Sequence, residues 1–165
     1  MSDALAQPPS PVTDPLDRLA YVIATWFGVG WTPLAPGTAG SAVAALLFVP
    51  MRALGLDVMA LLVLLLTGAG VWATQRIVAL RGGHDPQFIV VDEVAGQWLT
   101  LLVVPADWRW YLAGFVMFRL CDQFKPWPAR QAERELPPAW GVMLDDIFAG
   151  AWGAVLLWLA QRWVV

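Results

Sequence analysis

Two adjacent carboxylates, Asp145 and Asp146, stand at the start of an apolar run that continues to Trp163. A charged side chain inside such a helix costs on the order of 2–4 kcal/mol unless it is paired, hydrated or bound to a cation. The pattern also occurs twice, because residues 92–98 and residues 146–152 both follow Asp-x-x-Ala-Gly-x-Trp. Any fold of this chain must therefore accommodate two acidic sites within apolar segments.

Each copy of the pattern places an aspartate above a glycine, since residues four apart share one face of a helix. Gly96 and Gly150 remove side-chain bulk, so a neighbouring helix can approach closely at each of them. We expect this approach to bring the two acidic faces together. Clustered carboxylates would protonate unless a divalent cation kept them ionised. The pattern therefore predicts a site for a hard cation, with Mg²⁺ as the best candidate.

Composition indicates a single domain that is membrane-embedded or membrane-associated. Hydrophobic residues make up 59% of the 165 residues, compared with roughly 45–50% in soluble domains. Eleven tryptophans suit the interface between lipid and water. The net charge of −3 provides no basic stripe for a nucleic-acid partner. One cysteine and one histidine exclude an intrachain disulfide and argue against a zinc or copper site.

Helix-start and helix-stop signals predict one helical domain over residues 14–165 after a disordered tail at residues 1–13. We predict N-caps at Asp14, Asp85 and Asp107, with proline at the first helical position after the first two. The main predicted helices cover residues 15–27, 42–49, 58–81, 86–104, 108–124 and 147–161, and residues 129–135 form a short solvated helix. The predicted fold is an all-α bundle of about six helices with a central apolar helix. Residues 58–75 either span a membrane or form that central helix.

Residues 36–41, Pro-Gly-Thr-Ala-Gly-Ser, are predicted as a loop that leads into an apolar helix. Backbone N–H groups and two hydroxyls, those of Thr38 and Ser41, gather there, and helix N-termini of this kind bind anions. The alternative is an ordinary turn with Ser41 as the N-cap. The segment lacks Gly-Lys-Ser/Thr and is not a nucleotide P-loop.

Three charged residues end the predicted helix 108–124, namely Arg119, Asp122 and Lys125. One interpretation is an Arg119–Asp122 ion pair with Lys125 extended toward solvent. The other gives a phosphate to Arg119 or Lys125 and a metal ion to Asp122. His84 is predicted to be a solvated loop residue, and the charges of residues 129–135 are predicted to form a surface.

Four segments, taken in order, resemble the phosphatidylglycerophosphatase A family. They are residues 36–41, residues 89–93 (Ile-Val-Val-Asp-Glu), the run from Phe118 to Pro128, and residues 141–150. The resemblance implies an all-helical bacterial membrane enzyme that requires Mg²⁺ and hydrolyses the terminal phosphomonoester of phosphatidylglycerophosphate, releasing phosphatidylglycerol. One departure is visible, because residues 136–141 replace the glycine-rich loop that often precedes the aspartate pair.

The resemblance also implies site residues. Its acidic positions fall on Asp92, Glu93, Asp122, Asp145 and Asp146, and its basic positions fall on Arg119 and Lys125. We expect the metal ligands to come from Asp92, Glu93, Asp145 and Asp146. The catalytic candidates are Asp122, Asp146 and Lys125. We expect the phosphate to be bound by Arg119, Lys125, Gly37, Thr38, Gly40 and Ser41. The attacking group is either water or a carboxylate.

Two other functions compete with this interpretation. A membrane transporter or carrier would use buried acids as a relay, but the flanks of the two acid segments do not match as inverted repeats would. A metal-dependent phosphatidyl transferase would carry a longer Asp-Gly-x-x-Ala-Arg pattern, which is missing. The sequence leaves the oligomeric state open. The expected location is the bacterial cytoplasmic (inner) membrane, with the active site and most helix-end basic residues on the cytoplasmic side.

Overall fold

A computed structural model describes residues 14–81 and 86–164, which form seven α-helices and two 3₁₀ helices and contain no strand. The helices are α1 (Pro15–Ala24), α2 (Pro36–Met51), α3 (Leu56–Arg81), α4 (Val91–Leu101), α5 (Trp108–Phe124), α6 (Ala129–Glu135) and α7 (Pro138–Val164). The short 3₁₀ helices are Val29–Trp31 and Arg52–Leu54. The predicted all-α class is confirmed. The predictions for the tail at residues 1–13, for His84 and for Asp85 lie outside the described residues.

Helix α4 lies at the centre of the bundle, where it packs against α2, α3, α5 and α7. Only Glu93 and Leu99 of its 11 residues are not buried. The short helix that carries Asp92 is therefore the central one. The longer α3, which was the sequence-based candidate for that position, has 28% of its most apolar stretch buried.

Among the described residues, three helical segments are long and apolar enough to cross a membrane, as judged by length and composition: Pro36–Leu54, Leu56–Arg81 and Pro138–Trp163. Much of their apolar surface faces outward, as illustrated by Leu46, Leu64 and Leu65, which are 72%, 69% and 58% exposed. Contiguous apolar faces of this kind need lipid or protein to cover them. The fold is therefore that of a membrane-associated helical protein.

Helices α4 and α7 touch at their glycines, as the repeated pattern predicted. A Cβ atom on Gly150 would lie 2.4 Å from the carbonyl oxygen of Gly96, and one on Gly96 would lie 2.5 Å from the carbonyl oxygen of Asp146. The Thr100 hydroxyl lies 3.0 Å from the Gly96 carbonyl oxygen and 3.1 Å from that of Gly150, so it can bond to either helix. Backbone-to-backbone contact therefore brings the acid-bearing helices together.

Three helix starts differ clearly from the sequence prediction, and one of them is that of α7, which begins at Pro138 instead of residue 147. Helix α2 begins at Pro36 instead of residue 42, because Ala35 in the left-handed region (φ 48°) is its N-cap and Pro36 is its first residue. Helix α4 begins at Val91 instead of Pro86. The preceding residues Phe88–Val90 are buried without being helical, and the Val90 N–H donates to the Ala24 carbonyl oxygen at 2.8 Å.

Several other boundaries follow local chemistry. Helix α1 ends at Ala24, three residues earlier than predicted, because Trp26 and Phe27 adopt positive φ. Helix α4 ends at Leu101, ahead of Pro105. The predicted bounds of α5 and α6 are confirmed. The side chains of Asp14 and Asp107 cap α1 and α5 as predicted, accepting from backbone N–H groups at 2.9 and 2.7 Å.

Candidate active site

Three carboxylates, two from α4 and one from α7, form one group. Asp92 and Glu93 lie in the first turn of α4, where the helix dipole favours negative charge, and Asp146 reaches the same point from α7. One carboxylate oxygen from each of these residues lies within 4.8 Å of the others. Oxygen ligands at such spacing are those that Mg²⁺ or Ca²⁺ prefers. The group could therefore hold a metal ion.

The carboxylate of Glu93 has one oxygen without a hydrogen-bond partner in the described part of the chain. This oxygen, Oε2, is buried. Burial raises the pKa of Glu93, and the hydrogen bond with Asp92 and the charge of Arg119 offset this only in part, with Asp122 adding to the rise. A buried carboxylate oxygen without a partner is costly, so this atom fits the donor set of a bound cation.

Each acidic pair is fixed by its own backbone. The Asp92 Oδ1 atom accepts from the Glu93 N–H at 3.0 Å, and the Asp145 Oδ1 atom accepts from the Asp146 N–H at 2.9 Å. The other oxygen of Asp145 accepts from Lys125 Nζ. Asp145 is therefore the one predicted metal ligand that lies outside the group of three and pairs with a cation from the protein instead.

Lys125 is the C-cap of α5 and lies between two carboxylates. Its Nζ atom pairs with Asp145 and, at 2.9 Å, with Glu133 Oε1 of α6. Burial lowers the pKa of Lys125, but the hydrogen bonds and charges of Asp145 and Glu133 outweigh this and hold that pKa above its ordinary value. The ammonium group therefore stays charged at neutral pH, and it does not extend freely into solvent.

Arg119 and Asp122 form the ion pair of the first interpretation that the sequence left open, whereas a phosphate at Arg119 and a metal ion at Asp122 stay predictions. Arg119 Nη1 pairs with Asp122 Oδ2 at 2.9 Å and donates to the Ser41 hydroxyl at 3.3 Å. Asp122 nevertheless lines the same cavity as Asp146. The ion pair thus anchors one wall of the site.

These side chains surround a cavity of about 420 Å³, within the usual range for small-molecule sites. Its walls carry six acidic and two basic residues, a formal excess of four negative charges. The lining consists of Asp92, Glu93, Asp122, Lys125, Glu133, Arg134, Leu136, Pro138, Val142, Asp145 and Asp146. An anionic substrate can enter such a cavity only if cations or protons neutralise most of the carboxylates.

The predicted anion-binding residues of α2 lie beside this cavity without lining it. A Cβ atom on Gly37 would lie 1.9 Å from Glu93 Oε1, and one on Gly40 would lie 3.0 Å from the Cβ atom of Val90. The buried Ser41 hydroxyl donates to the Gly37 carbonyl oxygen at 2.9 Å, while Thr38 is half-buried. A role in phosphate binding stays a prediction for these residues. Gly37 has a different role in the structure, which is to leave room for the Glu93 carboxylate.

Two charged residues of the cavity wall, Glu133 and Arg134, are absent from the site predicted from the sequence. Both lie on α6, which was predicted to be only a charged surface. The turn between α5 and α6 brings Glu133 to Lys125, eight residues earlier in the chain. No helical periodicity signals a contact across such a turn.

Fold and site together define a class: membrane-associated helical proteins in which a cavity combines clustered carboxylates with basic side chains. Residues 22–161 match the sequence model of a family described as phosphatidylglycerophosphatase A. The chain belongs to the phosphatidylglycerophosphatase A family, and it is a phosphoric monoester hydrolase of phospholipid metabolism. This membership favours the enzyme over the carrier that the sequence left open.

Individual relatives agree on this class. The chain is 39% identical to the phosphatidylglycerophosphatase A of Escherichia coli K12, over 87% of this chain and 84% of that protein. It is 33% identical to the Haemophilus influenzae protein of the same name, over 88% and 90%. It is 41% identical to a putative phosphatidylinositol-3-phosphatase of Bacteroides thetaiotaomicron, over 89% and 96%. No solved structure matches the chain.

Proposed function

We propose that this protein is a Mg²⁺-dependent phosphatase that hydrolyses phosphatidylglycerophosphate to phosphatidylglycerol and phosphate. We place it in the bacterial cytoplasmic membrane with its cavity toward the cytoplasm. The observation that carries the proposal is the group formed by Asp92, Glu93 and Asp146 beside the Lys125 ammonium. The family and the names of two relatives support the substrate.

In this proposal Asp92, Glu93 and Asp146 hold the ion. The buried Glu93 oxygen that lacks a partner and the acidic excess of the cavity walls support this donor set. Bound there, Mg²⁺ would supply positive charge to the phosphate oxygens, where charge develops as the ester bond breaks. Asp145 is left to hold Lys125 in position.

The side chains of the chain itself bind and orient the phosphomonoester. Lys125 acts as a fixed positive charge, since its raised pKa makes it a poor proton donor. Arg119, held by Asp122 and Ser41, contributes a second cation at the back of the site. Water attacks phosphorus, the bond from phosphorus to the glycerol oxygen breaks, and the proton of the water passes to the Asp122 carboxylate. The leaving oxygen takes a proton from solvent.

The test measures phosphate release from phosphatidylglycerophosphate by detergent-purified protein, with Mg²⁺ and with EDTA. We expect Asp146→Asn to lower kcat/KM about a thousandfold or more, which is roughly 4 kcal/mol of transition-state stabilisation. The matched control is Asp57→Asn, the same change at an exposed position in the first turn of α3, which should retain activity.

Three results would overturn the proposal. Activity that persists in EDTA would show that the reaction does not depend on a metal ion. Full activity in Asp146→Asn would remove the central carboxylate. Faster hydrolysis of phosphatidylinositol 3-phosphate, the comparison substrate suggested by the name of the Bacteroides relative, would reassign the substrate.

A further inference from the structure

Arg134 is a cation in the cavity wall that has no acidic partner. It is exposed on α6 and lines the cavity, yet it makes no ion pair or hydrogen bond with any residue in the ranges that the structure describes. The other basic residue of the wall, Lys125, is held by two carboxylates. Arg134 is therefore the more available of the two for a ligand.

Arg134 lies on an exposed part of the cavity wall. A gradient of exposure runs through the contacts of Lys125, from the Asp145 side chain, which is 7% exposed, to that of Glu133, which is 47% exposed. Arg134 follows Glu133 on the same helix. A phosphate held near Lys125 and the carboxylates would thus leave the rest of its molecule pointing toward Arg134.

Exposed apolar groups lie close in the chain to residues of the cavity wall. Leu136 lines the cavity and is 38% exposed, and Trp140 in the first turn of α7 is 44% exposed. Phe124 and Trp127, which flank Lys125 in the chain, are each 71% exposed. Exposed aromatic side chains of this kind are typical of a membrane interface. Segments that contribute to the cavity wall therefore also present side chains suited to a lipid surface.

We propose that Arg134 binds the phosphodiester group of the lipid substrate while the phosphomonoester occupies the inner end of the cavity. This inference rests on the proposed function. In phosphatidylglycerophosphate, a glycerol unit joins the terminal monoester to a diester phosphate, and the diacylglycerol lies beyond that diester. The planar guanidinium group matches two phosphate oxygens, and without it the acidic walls would repel the second phosphate. Arg134 thereby selects lipids that carry both groups.

The experiment compares phosphatidylglycerophosphate with phosphatidic acid, which has a lipid phosphomonoester but no phosphodiester. Both are presented in mixed detergent micelles at the same mole fraction. We expect Arg134→Ala to raise KM for phosphatidylglycerophosphate about tenfold. It should leave the KM of phosphatidic acid unchanged, or its inhibition constant if its turnover is slow. Arg134→Lys should give an intermediate value, because it keeps the charge but loses the two-point contact.

The matched control is Arg130→Ala on the same helix, where the guanidinium donates to the Phe124 carbonyl oxygen and does not line the cavity. This variant should leave the KM of both substrates unchanged.

Equal changes in KM for both substrates in Arg134→Ala would overturn the inference and indicate only a general charge effect. An unchanged KM for both substrates would also overturn the inference, because Arg134 would then be an ordinary solvated surface residue. Wild-type protein that releases no phosphate from phosphatidylglycerophosphate would instead refute the proposed function. Phosphatidylinositol 3-phosphate, which also carries both groups, would then test Arg134.

Discussion

The two copies of Asp-x-x-Ala-Gly-x-Trp have the same sequence pattern but different surroundings. The α4 copy lies at the centre of the bundle, and its Trp98 is 3% exposed with Nε1 donating to the Ala44 carbonyl oxygen at 2.9 Å. The α7 copy is more exposed to the outside of the bundle. Its Trp152 is 38% exposed, with Nε1 donating to the Trp127 carbonyl oxygen at 2.8 Å. Each tryptophan therefore fastens its helix to a different neighbour.

This difference shows what the repeated pattern determines and what it leaves to the rest of the fold. The glycines determine the contact between α4 and α7, and the aspartates then meet at one end of that contact. The tryptophans pack according to what surrounds each helix: α2 covers one, and the turn after α5 borders the other. A symmetric pattern thus builds an asymmetric site, in which Lys125 approaches only the α7 side.

The largest effect on stability should come from the shared glycines. Gly96→Ala or Gly150→Ala would force Cβ against backbone atoms at 2.4–2.5 Å, which no rotamer change can relieve. We expect the free energy of unfolding in detergent to fall by about 3 kcal/mol or more. The control is Gly68→Ala in α3, where a Cβ would meet nothing within 4 Å. This change should raise the free energy of unfolding by about 0.5–1 kcal/mol, because alanine is favoured over glycine inside a helix. Similar losses at all three positions would contradict the close contact of α4 and α7.

A smaller difference in stability should distinguish substitutions of Trp98 and Trp152. Trp98→Phe removes a buried hydrogen bond to Ala44 together with packing volume, so we expect a loss of about 1–2 kcal/mol. Trp152→Phe removes a bond at the surface and should cost less than about 0.5 kcal/mol. Chemical denaturation of both variants in the same detergent measures the difference. Equal losses would mean that the two copies lie in equivalent environments.

The smallest effect should occur at the exposed ion pair between Glu133 of α6 and Lys125, on the α7 side of the site. Glu133→Gln removes one of the two carboxylates that hold Lys125 and reduces the negative charge of the cavity. We expect KM for phosphatidylglycerophosphate to fall about two- to threefold, roughly 0.5 kcal/mol, with kcat little changed. Glu135→Gln, an exposed position on the same helix outside the cavity wall, serves as the control. A higher KM in Glu133→Gln would show that this carboxylate supports substrate binding.

Local patterns in the sequence predicted much of this architecture. The spacing of four residues between aspartate and glycine predicted the contact of α4 with α7, and Asp107 correctly placed the start of α5. Local rules were wrong where tertiary contacts replaced them. The predicted N-cap at Asp85 and the proline at position 86 placed Phe88–Val90 inside the helix, but this segment is held by a hydrogen bond from the Val90 N–H to the Ala24 carbonyl oxygen and is buried in the core.

The site was predicted only where its residues are special within their own segment. Acids inside apolar runs are conspicuous, so Asp92, Asp145 and Asp146 could be identified. Glu133 is an ordinary charge on a solvated helix, and its role depends on a turn that returns it to Lys125. Gly37 is 56 residues away from Glu93, whose carboxylate it accommodates, and no periodic pattern connects them.

The backbone of Lys125 carries a further consequence. With φ 44° and ψ 66° it lies in the left-handed region, where a side chain costs about 1–2 kcal/mol and where glycine commonly ends a helix. A lysine at this position places its ammonium group in the cavity wall, where we propose that it binds the phosphate. On that proposal, position 125 is a point of trade-off between stability and activity. Selection for thermostability alone would favour glycine or asparagine at this position, and the stabilised variants would lose the positive charge that we assign to phosphate binding.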